Sequence, residues 1–279
     1  MQKAFQFSCI FGVFGSRRLP TRLYGAFVLC SLLYIVGNGC WKVIKPLIGL
    51  APDIERHRSV AARYAGIIFY SIAIMSLALV SKLYYFWPDL AEAWTKAEKT
   101  TALKVPVDKM LKKRMYNAAI LWLVCLILDH LMGIVALVGL DCPWELLLKR
   151  YSLYSHSFMI LNEDYAEWYA IPFVTINTIA TLLWNFQDLI IVLISIGLTS
   201  RYRRLNQCLA SMCAASRKQT EYNKKSETAK VYTWRSLRQA YVKQAFLVRK
   251  VDAAIGGIIV LSCVSNFYFI CLQLFIGIT

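Results

Sequence analysis

The chain alternates long uncharged runs with shorter segments that hold nearly all of its charge. Residues 23–41 lie between Arg22 and Lys42 without a charge, and residues 64–81 lie between Arg63 and Lys82 in the same way. Residues 115–140 are interrupted only by Asp129 and His130, residues 168–200 only by Asp188, and residues 253–279 by nothing. Each run reaches the roughly 18–20 residues that a helix needs to cross about 30 Å of hydrocarbon. The pattern predicts an all-α, multi-pass transmembrane helical bundle with five spans. Ahead of the first span, Lys3 to Gly15 ("KAFQFSCIFGVFG") is apolar but too short to cross, and no small-residue cleavage site follows the first run. The expectation is an interfacial helix rather than a removable signal. The predicted organisation is an N-terminal interfacial segment (1–21), spans one to four with their loops (22–200), a basic loop with a helical extension (201–250), and a fifth span (251–279).

Two loops carry helical patterns of their own. The second, Tyr84 to Met115, reads as two helical pieces broken near Val105-Pro106, with Trp87 and Trp94 seven apart on one face. In the fourth, the helical pattern starts at Tyr232, and "WRSLRQAYVKQAFLVRKVDAAIGG" (Trp234 to Gly257) enters the fifth span with no Pro, and no Gly before Gly256. The fourth and fifth helices are therefore expected to continue past the bilayer as a scaffold. Ser216 to Thr228 ("SRKQTEYNKKSET") is expected to be the flexible link between them.

Composition agrees with a membrane protein: 58% hydrophobic and 17% charged residues, with mean hydropathy +0.49. The net charge of +16 raises nucleic acid as a partner, but the cations sort by loop instead of forming a stripe. The N-terminal segment carries four Lys/Arg, residues 82–114 eight and residues 201–250 thirteen, against five in 42–63 and two at 149–150. Such a bias places the N-terminus in the cytoplasm. Nine cysteines form no CxxC or Cys/His metal spacing, and His57, His130 and His156 are far apart. No HExxH, GxSxG or P-loop occurs, so neither an enzyme nor a cofactor or metal site is expected. A transporter would want spans broken at mid-membrane by Gly or Pro. Pro172 and Gly256-Gly257 instead lie near the starts of the fourth and fifth spans.

The polar residues inside the spans follow helical spacing. Asn177, Thr181, Trp184, Asp188, Ser195 and Thr199 step by 4, 3, 4, 7 and 4 along one face of the fourth span. Ser262, Asn266, Phe269 and Gln273 repeat the pattern on the fifth. Lipid offers such groups no partner, so they face the bundle interior. With the N-terminus inside, Asn177, Thr181, Trp184 and Asn185 reach outer to middle depth together with Asn266, Phe269, Gln273, Asp129 and His130. Amides, a carboxylate and hydroxyls bind sugar hydroxyls, and aromatic faces cover sugar C–H faces. Interhelical hydrogen bonding accounts for the same residues equally well. Asp188 lies deeper and is read as structural, paired with a Tyr, an Arg or the backbone. The outer loop Asp141 to Glu167, with "RYSLYSHSF" and "NEDYAEWYA", suits either a sugar mouth or an interfacial aromatic belt.

"WNFQDLIIVLISIGLTSRYRRLN" (Trp184 to Asn206) and "VDAAIGGIIVLSCVSNFYFICLQLF" (Val251 to Phe275) resemble the fourth- and fifth-helix blocks of insect gustatory receptors of the sugar-taste branch. Asp129-His130 and "FWPDLAEAWTKAE" (Phe86 to Glu98) are similar to further blocks of that branch. The resemblance implies a seven-helix receptor in the plasma membrane with a cytoplasmic N-terminus, assembled as a homo- or hetero-tetrameric ligand-gated cation channel. It also implies a sugar pocket in each subunit and a pore lined by the seventh helix. The sixth helix and the seventh, with its Thr-Tyr…Gln-Phe signature, are not in this sequence. The expectation is a truncated receptor subunit, with a membrane scaffold or modulator pairing with full-length subunits as the alternative.

Overall fold

The computed structural model describes residues 8–13, 19–50, 60–98, 108–156, 159, 165–218 and 224–278. They form a 3-10 turn (Cys9–Phe11) and six helices: α1 (Leu19–Leu47), α2 (Val60–Glu98), α3 (Leu111–Val138), α4 (Trp144–Ser155), α5 (Glu167–Lys218) and α6 (Lys224–Ile278). No strand occurs among the described residues. The five helices long and apolar enough to cross a membrane are α1, α2, α3, α5 and α6, each containing most or all of one uncharged run. The fold is a multi-pass helical bundle. Gly139 ends α3 at φ 81°, where its N–H donates to the Val135 carbonyl at 2.8 Å, and the missing Cβ makes that left-handed turn inexpensive.

The chain divides into two compact units. The first comprises Met1–Tyr84, Leu121–Leu189 and Ile258–Thr279. Its core is built from helical faces at period 3–4: Val28, Leu32 and Ile35 on α1, Tyr70, Ala73, Leu77 and Val80 on α2, and Phe173, Ile176, Ala180 and Leu183 on α5, all buried. Hydrocarbon tails are as apolar as these side chains, so close packing and hydrogen bonds, rather than escape from water, hold such faces together. The described part of the N-terminal run belongs to this unit. Phe11 and Val13 are buried, the Phe11 ring lies 5.9 Å from that of Phe186, and a Cβ at Gly12 would stand 3.0 Å from Val28. The run that reads as interfacial is, over residues 8–13, a turn tucked among helices; the rest of Lys3–Gly15 lies outside the described residues.

The second unit comprises Tyr85–Ile120 and Ile190–Gly257. Leu205, Leu237 and Ala240 are buried together, with Leu209, Met212 and Tyr241 packed around them, and the Tyr241 hydroxyl donates to Asn206 Oδ1 at 2.6 Å. Trp94 lies against Gly197, where a Cβ would meet the indole ring at 3.0 Å. The Arg201 guanidinium, buried, donates to the Ala97 carbonyl. The link expected over Ser216–Thr228 is shorter, because α5 persists to Lys218 and α6 begins at Lys224. The break near Val105-Pro106 lies outside the described residues.

Candidate ligand site

The first unit brings three aromatic rings together from three helices. Trp184 of α5 and Phe269 of α6 lie 4.9 Å apart at 37° between planes. Phe69 of α2 stands nearly perpendicular to both, at 6.1 and 6.3 Å, an edge-to-face geometry that aromatic quadrupoles favour. The indole N–H of Trp184 is buried and meets no acceptor among the described residues. A buried donor left unmade costs about 1–3 kcal/mol, so this N–H marks a place where a ligand oxygen would be stabilised.

One turn further along α5, the Ser262 hydroxyl donates to Asp188 Oδ1, and Asn266 Nδ2 lies 3.3 Å from Ser262 Oγ. The four-residue steps from Trp184 to Asp188 and from Ser262 to Asn266 set both faces toward each other. Asp188 is thus met by polar side chains of α6, the Ser262 hydroxyl and the Asn266 amide, and not by the Tyr, Arg or backbone group expected from sequence. Serine is small enough to let the two helices approach closely while still supplying a donor.

A second polar cluster gathers α2, α4 and α5. The Tyr70 hydroxyl lies 2.8 Å from His156 Nε2 and 3.2 Å from Asn177 Oδ1, while Asn177 Nδ2 donates to the Tyr151 hydroxyl at 2.9 Å. Tyr70, Tyr151 and His156 are all buried. Burial drives the His156 pKa down to about 4, with the Ser152 backbone opposing it, so the ring is neutral at physiological pH. These three residues were not singled out as site residues by the sequence reading. Tyr70 sits in an uncharged run, and Tyr151 and His156 sit in a loop whose helix α4 carries no long apolar period.

The remaining predicted residues divide. Thr181 donates back to the Asn177 carbonyl at 3.0 Å, and Asn185 Nδ2 donates back to the Thr181 carbonyl at 3.0 Å, so both satisfy their own helix. The Asn185 carbonyl in turn accepts from Trp122 Nε1 of α3 at 2.9 Å. Asp129 and Gln273 are exposed and His130 half-buried, and none of the three hydrogen-bonds another candidate residue. Helical depth placed them beside the others, but depth does not fix the face a residue takes. In the loop between α3 and α5, Arg150 donates to the Val138 carbonyl at 3.2 Å and Lys149 lies 5.6 Å from the Tyr165 ring centroid. Asn162 to Asp164, within the proposed mouth, are outside the described residues.

Comparison with known proteins bears on what such a site serves. The profile described as trehalose receptor matches residues 46–279. The chain is 26% identical over 228 residues to the "Gustatory receptor for sugar taste 64a" of Drosophila melanogaster, covering 77% of this chain and 47% of that protein. It is 29% identical over 216 residues to the "Gustatory receptor 5a for trehalose" of the same organism, covering 75% and 45%. The chain therefore spans about half the length of the curated relatives it matches. The match runs through α2 to α6 and so includes α2, α5 and α6, whose residues form the aromatic cluster, and on this ground the chain belongs to the trehalose receptor family of insect gustatory receptors.

Proposed function

We propose that the chain is a subunit of a sugar-sensing gustatory receptor of the plasma membrane and supplies the ligand-binding part of a ligand-gated cation channel. The observation that carries this reading is the ring cluster of Phe69, Trp184 and Phe269, in which the buried indole N–H of Trp184 meets no acceptor among the described residues. A pyranose presents apolar C–H faces that stack on such rings and hydroxyl oxygens that accept from such a donor. Asn266 and the Ser262–Asp188 pair lie along the same helix faces and offer further hydrogen bonds. Asp129, His130 and Gln273 join the site where assembly or ligand entry brings their helices closer. Partnership with other receptor subunits, in a homo- or heteromeric channel, is part of the same proposal and follows from the family resemblance.

The test is equilibrium binding of radiolabelled trehalose and glucose to the chain in lipid nanodiscs. Saturable binding that is lost in Trp184→Ala, while the variant elutes as a folded monodisperse species, supports the assignment. Undiminished binding in that variant places the sugar elsewhere.

A further inference from the structure

The second unit holds a groove of about 600 Å³ between the start of α3 and the middle of α5, within the size range of small-molecule sites. Five cations line it: Lys109, Lys113 and Arg114 from one wall, Arg203 and Arg204 from the other. Its single carboxylate among the described residues, Asp108, is already engaged. It accepts from the Arg114 guanidinium, from the Ser200 hydroxyl and from the Met110 N–H, the last at 3.0 Å. Those hydrogen bonds, Ser200 first, hold the Asp108 carboxyl below its usual range. Arg204 reaches Glu98 only at 3.4 Å.

The other cations have no such relief. Lys109, Lys113 and Arg203 are exposed, and no acceptor or carboxylate among the described residues meets them. The Nε–H groups of Arg114 and Arg204 are buried without an acceptor among those residues. Like charges gathered in one cleft repel each other and raise the local potential until an anion neutralises them. The planar guanidinium forks supply paired donors matched to phosphate oxygens. The groove also lies where the chain enters and leaves the apolar runs: Asp108–Arg114 opens α3, and Arg203–Arg204 follows the uncharged stretch of α5. With the N-terminus inside, that is headgroup depth at the cytoplasmic surface, where basic pockets between helices take phosphorylated lipid heads.

We infer that this groove is a binding site for a phosphomonoester-rich anion, the chemistry shared by polyphosphoinositide headgroups and free inositol phosphates. The inference rests on the membrane reading and on its orientation, not on the sugar site, so either can fail without the other. Binding would tie the opening of α3 to the middle of α5 and thus make the second unit responsive to the composition of the inner leaflet.

The experiment places the chain in phosphatidylcholine nanodiscs containing a small fraction of fluorescent phosphatidylinositol bisphosphate and follows energy transfer from protein tryptophan. Each cation near an anionic surface contributes about a fivefold gain in binding, so the triple variant Lys109→Gln, Lys113→Gln, Arg203→Gln should weaken binding on the order of a hundredfold. A control of equal charge loss on α6, Arg235→Gln, Arg238→Gln, Lys243→Gln, should leave it within about threefold, because these residues precede the apolar run at 253 by ten or more helical positions, roughly 15 Å, which exceeds a Debye length. If the triple variant misfolds by gel filtration, Arg203→Glu alone serves, with loss of binding expected. Equal weakening by both triples, or no weakening by the first, overturns the site. Soluble inositol trisphosphate that binds the chain as tightly as the lipid assigns the site to a free phosphate; displacement only at large excess assigns it to the lipid. Binding of an acidic peptide with no binding of either phosphate probe overturns it.

Discussion

The Tyr70 hydroxyl on α2 and His156 Nε2 at the end of α4 lie 2.8 Å apart in a fully buried contact, joining a transmembrane helix to the loop between α3 and α5. The hydroxyl carries one hydrogen, within reach of Asn177 Oδ1 at 3.2 Å, and the imidazole tautomer decides which partner donates in the contact with His156. The contact is thus a junction of three elements whose proton content depends on the imidazole.

That junction should make the loop between α3 and α5 sensitive to acid. The His156 pKa falls from about 6.5 when unfolded to about 4 when folded, because burial disfavours the charged ring. Between those values the unfolded chain binds more protons, so stability rises with pH across the window. The contribution is complete above pH 6.5, is lost as pH falls toward 4, and amounts to on the order of 3 kcal/mol. Thermal unfolding in nanodiscs at pH 7.5, 6, 5 and 4 should show the decline. His156→Gln, which hydrogen-bonds without titrating, should flatten it.

Asn177 spends its amide on protein partners, accepting from Tyr70 and donating to Tyr151. Asn177→Leu should therefore destabilise the chain by about 1–3 kcal/mol, since two buried hydroxyls lose a partner. Sugar affinity per folded molecule should stay within a few-fold. A large affinity loss at unchanged melting temperature would instead make Asn177 a ligand contact.

Trp184→Phe separates the ring from its donor. The stack on Phe269 survives, while the indole N–H is removed. Sugar affinity should drop about tenfold, the worth of one hydrogen bond of ordinary strength, with little change in melting temperature. Isothermal titration of both proteins with trehalose checks both halves.

Asp188 and Ser262 should couple. In a double-mutant cycle of Asp188→Ala and Ser262→Ala, the two single costs should exceed the double cost by about 0.5–2 kcal/mol, the range for interhelical hydrogen bonds. Additive melting shifts would mean that the contact between Asp188 and Ser262 stabilises nothing.

Gly197→Ala should strain the second unit, because the new methyl would stand 3.0 Å from the Trp94 ring. A loss of about 1–3 kcal/mol is expected for overpacking. Adding Trp94→Phe should recover part of it.

The spans were legible because bilayer thickness imposes a length and the absence of charge marks it. The inward faces of α5 and α6 were legible because period 3–4 survives in both, which is why Trp184, Asp188, Asn266 and Phe269 do meet across the helices in pairs or through Ser262. Tyr70 escaped notice because a tyrosine in an apolar run looks like a packing residue. Its partner His156 is eighty-six positions away in a loop, and nothing in periodicity links the two. Asp129 and His130 mark the limit of reading depth alone: an acid and an imidazole in a span suggest an interior site, and the structure leaves Asp129 exposed and His130 half-buried on an α3 that touches its neighbours through few side chains.

That sparse contact bears on how the chain enters the membrane. Among the candidate spans, α3 has only 6% of its apolar window buried against protein, whereas α5 has 50%. Apart from Asp129 and His130, α3 is one long apolar run, so it should partition from the ribosome-bound translocon early, with those two side chains the costly part of the step. α5 carries Asn177, Gln187 and Asp188, which are stable in lipid only once Tyr70, Ser76 and Ser262 are there to receive them. Biogenesis should thus proceed with α3 inserted and waiting while α5 lingers beside the translocon until α6 emerges. Mutations that strip α6 of Ser262 would then lower the yield of inserted protein before they altered any property of the folded chain.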